Sequence, residues 1–272
     1  SRIQEEGLES VEELQSYFIQ RMERFLSSKG RILLGWDEIL EGGLAPGATV
    51  MSWRGVKGGL EASEAGHDVV MSPNSHCYFD YYQGDQDAEP LAWGGNLPLS
   101  KVYQFDPVVE EMTPEQAAHV LGGQANLWTE YVPTNAQAEY MTYPRLAALA
   151  EAVWSTKENR NWPDFSKRVP SLFKRYDEMG INYAKSAYQV KTEISVAPES
   201  DAVSIVLASE FPESDIRYTL NGSDITTASE KYIIPSLELV EEIRQQGLEA
   251  LLLVVEIGRQ GLNALLLVIV IM

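Results

Sequence analysis

One cysteine, Cys77, and three scattered histidines, His67, His76 and His119, are the only thiol and imidazole groups in 272 residues. One thiol closes no internal disulfide, and neither residue type reaches the number that a cysteine- or histidine-built metal site requires. No metal and no other cofactor is expected, and each histidine reads as a structural residue with a satisfied ring. Positive charge is equally scarce: 21 Lys and Arg face 40 Asp and Glu, a net charge of −19. Such a surface repels a phosphate backbone, which argues against nucleic acid as a partner. Long apolar runs are lacking too. The final run, ALLLVIVIM at 264–272, falls far short of the ~20 residues of a membrane-spanning helix, so no span is expected. The opening SRIQEEGLES has neither an initiating Met nor the apolar stretch of a signal peptide. It fits a processed end, an engineered boundary or the interior of a longer protein. A lone cysteine leaves the compartment open.

Against these absences stand 44% hydrophobic residues and six tryptophans, enough for one large domain or two modest ones. Ser10, with Glu13 three residues on, reads as a capping box. Val11, Leu14, Phe18, Met22 and Phe25 recur at helical spacing, and Gly30 stops the helix. RILLGW (31–36) reads as a short buried strand, APGATVMSW (45–53) as a turn and second strand, and GGLEASEAG (58–66) as a helix. HDVVMSP (67–73) and VLGGQANLW (120–128) read as two further strands. Thr113-Pro114-Glu115-Gln116 is a helix start, and 137–155 a long helix kinked at Pro144. Strand–helix alternation predicts an α/β fold with a parallel sheet.

The strands end on Trp36, Trp53, the Tyr78–Asp80 stretch and Trp128-Thr129-Glu130. In a (β/α) barrel the C-terminal strand ends form the active face. Aromatic rings there can pack on the C–H face of a pyranose while carboxylates accept hydrogen bonds from its hydroxyls. A single Trp at a strand end is explained as well by sealing the barrel top; four aromatic–acidic strand ends together are not. Asp37 and Glu38, adjacent behind the first strand, raise the further possibility of the carboxylate pair that sugar-cleaving enzymes use.

From about residue 185 the texture changes to apolar–polar alternation, TEISVAPESDAVSIVLAS and DIRYTLNGSDITT, with Asn221-Gly222 as a hairpin signal. This reads as a small antiparallel β module. Asn221-Gly222-Ser223 also matches a glycosylation sequon, but the turn explains it better. From about Pro235, EIRQQGLEALLLVV and EIGRQGLNALLLVI repeat at a spacing of fourteen residues. The repeat fits a biological helix or an artefactual extension of the reading frame equally, and its uncharged end is aggregation-prone where exposed.

At GWDEILEGGLAPGATVMSWRG, YFDYYQ, GGQANLWTEY and EYMTYPRLAALAEAVWS the chain resembles the β-N-acetylhexosaminidase family of glycoside hydrolases, over roughly residues 8–185. DIRYTLNGSD resembles the small β-sandwich that follows the barrel in many bacterial members. The resemblance implies substrate-assisted hydrolysis, in which the substrate's acetamido oxygen attacks the anomeric carbon, an Asp orients the acetamido group and the adjacent Glu is the general acid. That pair lies in a His-x-Gly-Gly-Asp-Glu motif on the fourth strand of the family, and the motif does not occur here. GWDEIL resembles the fifth strand, so Asp37 and Glu38 are expected to fix the following loop by hydrogen bonds rather than to catalyse, with the catalytic strand upstream of Ser1.

By the same resemblance, residues 1–185 supply strands five to eight of a (β/α)8 barrel, 186–234 a β-sandwich-like module and 235–272 a tail of no assigned role. Trp36, Trp53 and Trp128 would wall the acetamido pocket and Trp93 complete its floor. Tyr78 would donate to the acetamido oxygen, and Asp80 and Glu130 would accept from sugar hydroxyls. Trp154 and Trp162 are expected to pack. The implied partners are glycans ending in N-acetylhexosamine, the N-terminal half-barrel and, in its absence, a second copy of the chain; the implied compartment is periplasmic or extracellular. Three readings stay open: a portion of an exo-acting hexosaminidase, a sugar-binding remnant without the acid, and an incomplete reading frame.

Overall fold

The computed structural model describes residues 1–196, 203–211, 214–219, 223–233, 251–259, 262–263 and 267–271. The expected Asn221-Gly222 turn lies outside them. The chain divides into two compact units, one made of Ser1–Tyr82 with Pro90–Arg160, the other of Gln83–Glu89 with Asn161–Met272.

The first unit opens with two helices, α1 (Arg2–Glu6) and α2 (Val11–Ser27). Ser10 caps α2 by accepting the Glu13 N–H at 3.1 Å, while the Glu13 carboxylate reaches back one residue further than a capping box requires, to the Glu9 N–H at 2.9 Å. Gly30 takes φ 67 beyond the helix end, where a side chain would be strained. The apolar stripe that marks this helix is largely uncovered: Val11, Phe18 and Phe25 are all more than half exposed. The buried residues of α2 are instead Ser16 and Glu23. Ser16 Oγ donates to the Gly43 carbonyl at 2.5 Å.

Four short strands follow in alternation with helices: β1 (Leu34–Trp36), β2 (Thr49–Ser52), α3 (Lys57–Glu64), β3 (Val69–Met71), α4 (Asn74–Cys77), α5 (Leu99–Tyr103), α6 (Pro114–Ala117) and β4 (Val120–Gly123). The strands pair in parallel in the order β1-β2-β3-β4, with Trp36 opposite Met51, Val50 opposite Val69 and an irregularity between Val69 and Val70 where β4 joins. All four residues of β2 are buried, as a strand covered on both faces must be. Thr113 and Gln116 form a reciprocal capping box, but α6 is only four residues long. The helix expected over 137–155 is two helices, α7 (Asn135–Thr142) and α8 (Arg145–Trp154), divided at the cis Tyr143–Pro144 bond. Among the described residues no helix is long and apolar enough to cross a membrane.

The second unit contains α9 (Trp162–Met179), capped by Asn161 and ended at Gly180 with φ 69. Its core is aromatic: Trp162 stacks on Phe211 at 6.0 Å and 7°, and Phe173 meets Tyr183 at 4.3 Å. β5 (Lys191–Val196) and β6 (Val203–Ala208) pair antiparallel. β7 (Asp215–Thr219) pairs with β8 (Glu230–Lys231) and β9 (Leu251–Arg259), and β9 also pairs with β10 (Leu262–Asn263) and β11 (Leu267–Ile271), all antiparallel. Where it is described, the repeat from Pro235 onward is therefore strand and not helix. The run LVIVI of β11 is rich in β-branched residues, which favour a pleated strand.

A candidate sugar-binding site

Because β1 to β4 are parallel, their C-terminal ends lie on one side, and the side chains just past those ends are brought together. Trp36 closes β1, and Trp53 follows β2 directly. Tyr78 follows α4 and bridges Asn126, whose N–H donates to the Cys77 carbonyl at 2.8 Å and whose own carbonyl accepts the Phe79 N–H at 2.7 Å. Asn126 is fixed in turn by Nδ2 donation to Ser72 Oγ at 2.6 Å. Trp93 is tied to the same loop by its backbone N–H, 3.0 Å from the Asp80 carbonyl.

These segments line a cavity of about 380 Å³ formed by Trp36, Glu38, Trp53, Tyr78, Asp80, Tyr81, Trp93, Trp128 and Glu130. That is at the small end of the range for ligand pockets and suits one monosaccharide better than an extended chain. All seven side chains singled out from the sequence line it. The wall is a continuous series of rings: Trp128 to Trp36 at 5.9 Å, Trp36 edge-on to Trp53 at 6.5 Å, Trp53 stacked on Tyr78 at 6.1 Å, and Tyr78 to Tyr81 at 5.8 Å. Tyr81 is an addition; the aromatic run YFDYY was its only signal.

Two polar groups in this wall, Tyr78 and Asp80, are strongly perturbed. Burial pushes the Tyr78 hydroxyl up to about 12, so it stays protonated and can donate. Asp80 is 4% exposed, and its Oδ1 has no hydrogen-bond partner among the described residues. Its carboxyl is raised to about 6, chiefly by burial and further by the charge on Glu130, with backbone N–H groups and Arg145 pulling the other way.

Asp37 and Glu38 have different surroundings. Asp37 is 2% exposed; its Oδ2 accepts the backbone N–H groups of Trp53 and Arg54 at 3.0 and 3.1 Å, and its Oδ1 accepts Arg54 Nε–H at 2.6 Å. Glu38 lines the cavity and accepts the indole N–H of Trp53 at 3.1 Å on both oxygens. Both carboxylates thus secure the loop after β2.

Each histidine has a partner: His67 the Ala48 carbonyl, His76 Ser75 Oγ, and His119 the Asp68 carboxylate. Burial of the Cys77 thiol raises its pKa far above the ordinary value. Trp162 packs and donates its indole N–H to the Glu210 carbonyl at 2.9 Å. Trp154 does not pack: at the end of α8 it is 89% exposed, because no described residue covers that face of the helix. No group of three or more His, Cys, Asp or Glu side chains among the described residues is placed to hold a metal ion.

Residues 1–157 match the model of "Glycosyl hydrolase family 20, catalytic domain". The chain is 49% identical over 183 residues to a β-hexosaminidase of Porphyromonas gingivalis, an overlap of 67% of this chain and 24% of the relative. It is 35% identical over 158 residues to a β-hexosaminidase of Vibrio furnissii, covering 56% and 26% respectively. It therefore spans about a quarter of the length of these relatives. Among solved structures, an exo β-N-acetylglucosaminidase of Vibrio harveyi in complex with N-acetylglucosamine superposes with a TM-score of 0.60 at 30% identity, over 68% of this chain and 29% of that one. An N-acetyl-β-hexosaminidase of Streptomyces plicatus gives 0.56 at 26% identity, over 63% and 36%. With more than half of its length matched by the family model and an aromatic-walled cavity at the strand ends, the chain belongs to glycosyl hydrolase family 20.

Proposed function

We propose that this chain carries the sugar-holding part of a β-N-acetylhexosaminidase, which removes terminal non-reducing N-acetylhexosamine residues by a substrate-assisted, retaining route. In this reading residues 1–185 correspond to strands five to eight of a (β/α)8 barrel, 186–234 to a small antiparallel module and 235–272 to a segment outside the site.

The observation that carries the reading is Asp80: a buried carboxylate with an unpartnered oxygen, set in an aromatic-walled cavity. An unmade buried hydrogen bond is costly, and a sugar hydroxyl is a donor that would satisfy it. Glu130 takes a second hydroxyl. Trp36, Trp53 and Trp128 enclose the acetamido group, and Trp93 forms the floor. The protonated Tyr78 hydroxyl donates to the acetamido oxygen and holds that nucleophile near the anomeric carbon, where positioning is worth most. Asp37 and Glu38 are both committed to the Trp53 loop, and the sequence holds no His-x-Gly-Gly-Asp-Glu motif. The acid and its partner Asp then come from the remaining part of the barrel.

Titration of the chain with N-acetylglucosamine and with glucose, followed by tryptophan fluorescence, tests the pocket. Saturable quenching by the acetamido sugar alone is expected; equal responses to both sugars would remove the acetamido reading. The chain by itself should not hydrolyse an aryl β-N-acetylglucosaminide, since general acid catalysis alone contributes about 10²–10⁴ in rate. Turnover that disappears in Glu38→Gln would show that the catalytic pair is Asp37–Glu38 after all.

A further inference from the structure

We propose that Asp37 and Glu38 are a two-point clamp on Trp53, acting as positioning residues for the cavity wall. Two adjacent carboxylates grip one residue at its two ends. Asp37 takes the backbone: its Oδ2 accepts the N–H groups of Trp53 and Arg54, and Arg54 Nε–H closes on Oδ1. Glu38 takes the ring: both oxygens lie 3.1 Å from Trp53 Nε1. The clamp is itself anchored. Gln15 Nε2 of α2 donates to the Glu38 carbonyl at 2.6 Å, and α3 approaches so closely that a Cβ on Gly58 would sit 2.7 Å from Asp37 Cβ.

The physical consequence is a choice of ring orientation. An indole on a loop can turn about its side-chain torsions, and only one end of it carries a donor. A carboxylate placed at that donor selects the orientation in which the ring face stacks on Tyr78 at 24° and meets Trp36 edge-on at 81°. A charge-assisted bond does this more strongly than a neutral one. The effect on ligand affinity rests on the pocket reading above; the clamp does not.

Fluorine spectra of the full chain labelled with 5-fluorotryptophan read the clamp directly. There are six tryptophans, and the Trp53 line is identified by its loss in Trp53→Phe. Glu38→Leu should shift and broaden the Trp53 line and leave those of Trp154 and Trp162 in place. Glu38→Gln keeps an acceptor without the charge, so its shift should be smaller and again concentrated on Trp53. Binding of N-acetylglucosamine should weaken about three- to tenfold in Glu38→Leu, the worth of one aromatic contact, and less in Glu38→Gln. A Trp53 line that ignores Glu38→Leu, or a Glu38→Gln effect equal to that of Glu38→Leu, overturns the proposal. If Glu38→Leu fails to fold, Glu38→Gln decides alone: a shift confined to Trp53 supports the clamp, and an unmoved line refutes it. A parent chain that binds no N-acetylglucosamine counts against the pocket reading and leaves the fluorine result to judge the clamp.

Discussion

Asp80 is the side chain on which burial and function pull in opposite directions. Its carboxyl rises from the ordinary 3.8 to about 6 because the loop hides it from water. The native state therefore holds the proton more tightly than the unfolded chain. Stability falls as pH rises from about 4 to 6, and the deficit persists above 6. Asp80→Asn removes that titration. The variant should melt higher than the parent at pH 7.5, by up to roughly 3 kcal/mol of stability for a shift of about two units, and the advantage should vanish below pH 4. A difference in melting temperature that does not change with pH would mean that Asp80 is not held at this cost. At this scale much of the cavity was legible, because an aromatic or acidic residue at a strand end has few places to point. What stayed hidden was pairing across segments. The bond from Trp53 to Glu38 joins residues fifteen apart across a strand, and neither residue type announces it. Exposure of Trp154 was equally unreadable, since a helical Trp looks the same in sequence whether or not something covers it.

Among the elements, α8 matters to the site through its first residue. Arg145 is fully buried and donates to the carbonyls of Met141, Phe79, Tyr81 and Leu97, with its guanidinium 5.0 Å above the Phe79 ring. It thereby joins the end of α7 to the loop that carries Asp80. Arg145→Met would strand several buried carbonyls, each costing about 1–3 kcal/mol. Unfolding in urea should show a loss of about 3 kcal/mol or more. Arg145→Lys should recover little, because one ammonium cannot reach carbonyls that a planar fork spans; recovery to within 1 kcal/mol would mean that only the charge is needed. The motif around Arg145 was visible in the sequence, but its partners at Phe79, Tyr81 and Leu97 belong to other segments. Strand–helix alternation was readable for β1 to β4, whose apolar runs are short and bounded by Gly and Pro. α9 gave less: its aromatic face needs its partners in view, and Pro170 falls inside it. The strands β9 to β11 were obscured because short apolar runs suit helix and strand alike.

The whole molecule carries one conflict, between apolar surface that favours association and a charge that opposes it. Among the described residues β1 and β4 are the outer strands of the parallel sheet, each with one pairing edge unused. Leu34 on β1 is 49% exposed and Leu121 on β4 is 63% exposed. The uncovered stripe of α2 adds Val11, Phe18 and Phe25. Open edges with apolar side chains are templates for further pairing, which a closed barrel avoids. β9 adds no such edge, since it is paired with β7 on one side and with β10 and β11 on the other. Against association stands the net charge of −19, a long-range repulsion between copies. Salt weakens only the second effect, because the screening length falls from about 30 Å at 0.01 M to about 8 Å at 0.15 M. The chain should therefore shift from smaller to larger species on size exclusion as salt is raised. Helical circular dichroism should persist throughout, together with binding of a dye that reports exposed apolar surface. A sharp monomer peak at both ionic strengths, with cooperative unfolding and no dye binding, would show that four strands with open edges form a self-sufficient fold. The half-barrel reading would then lose its main physical support.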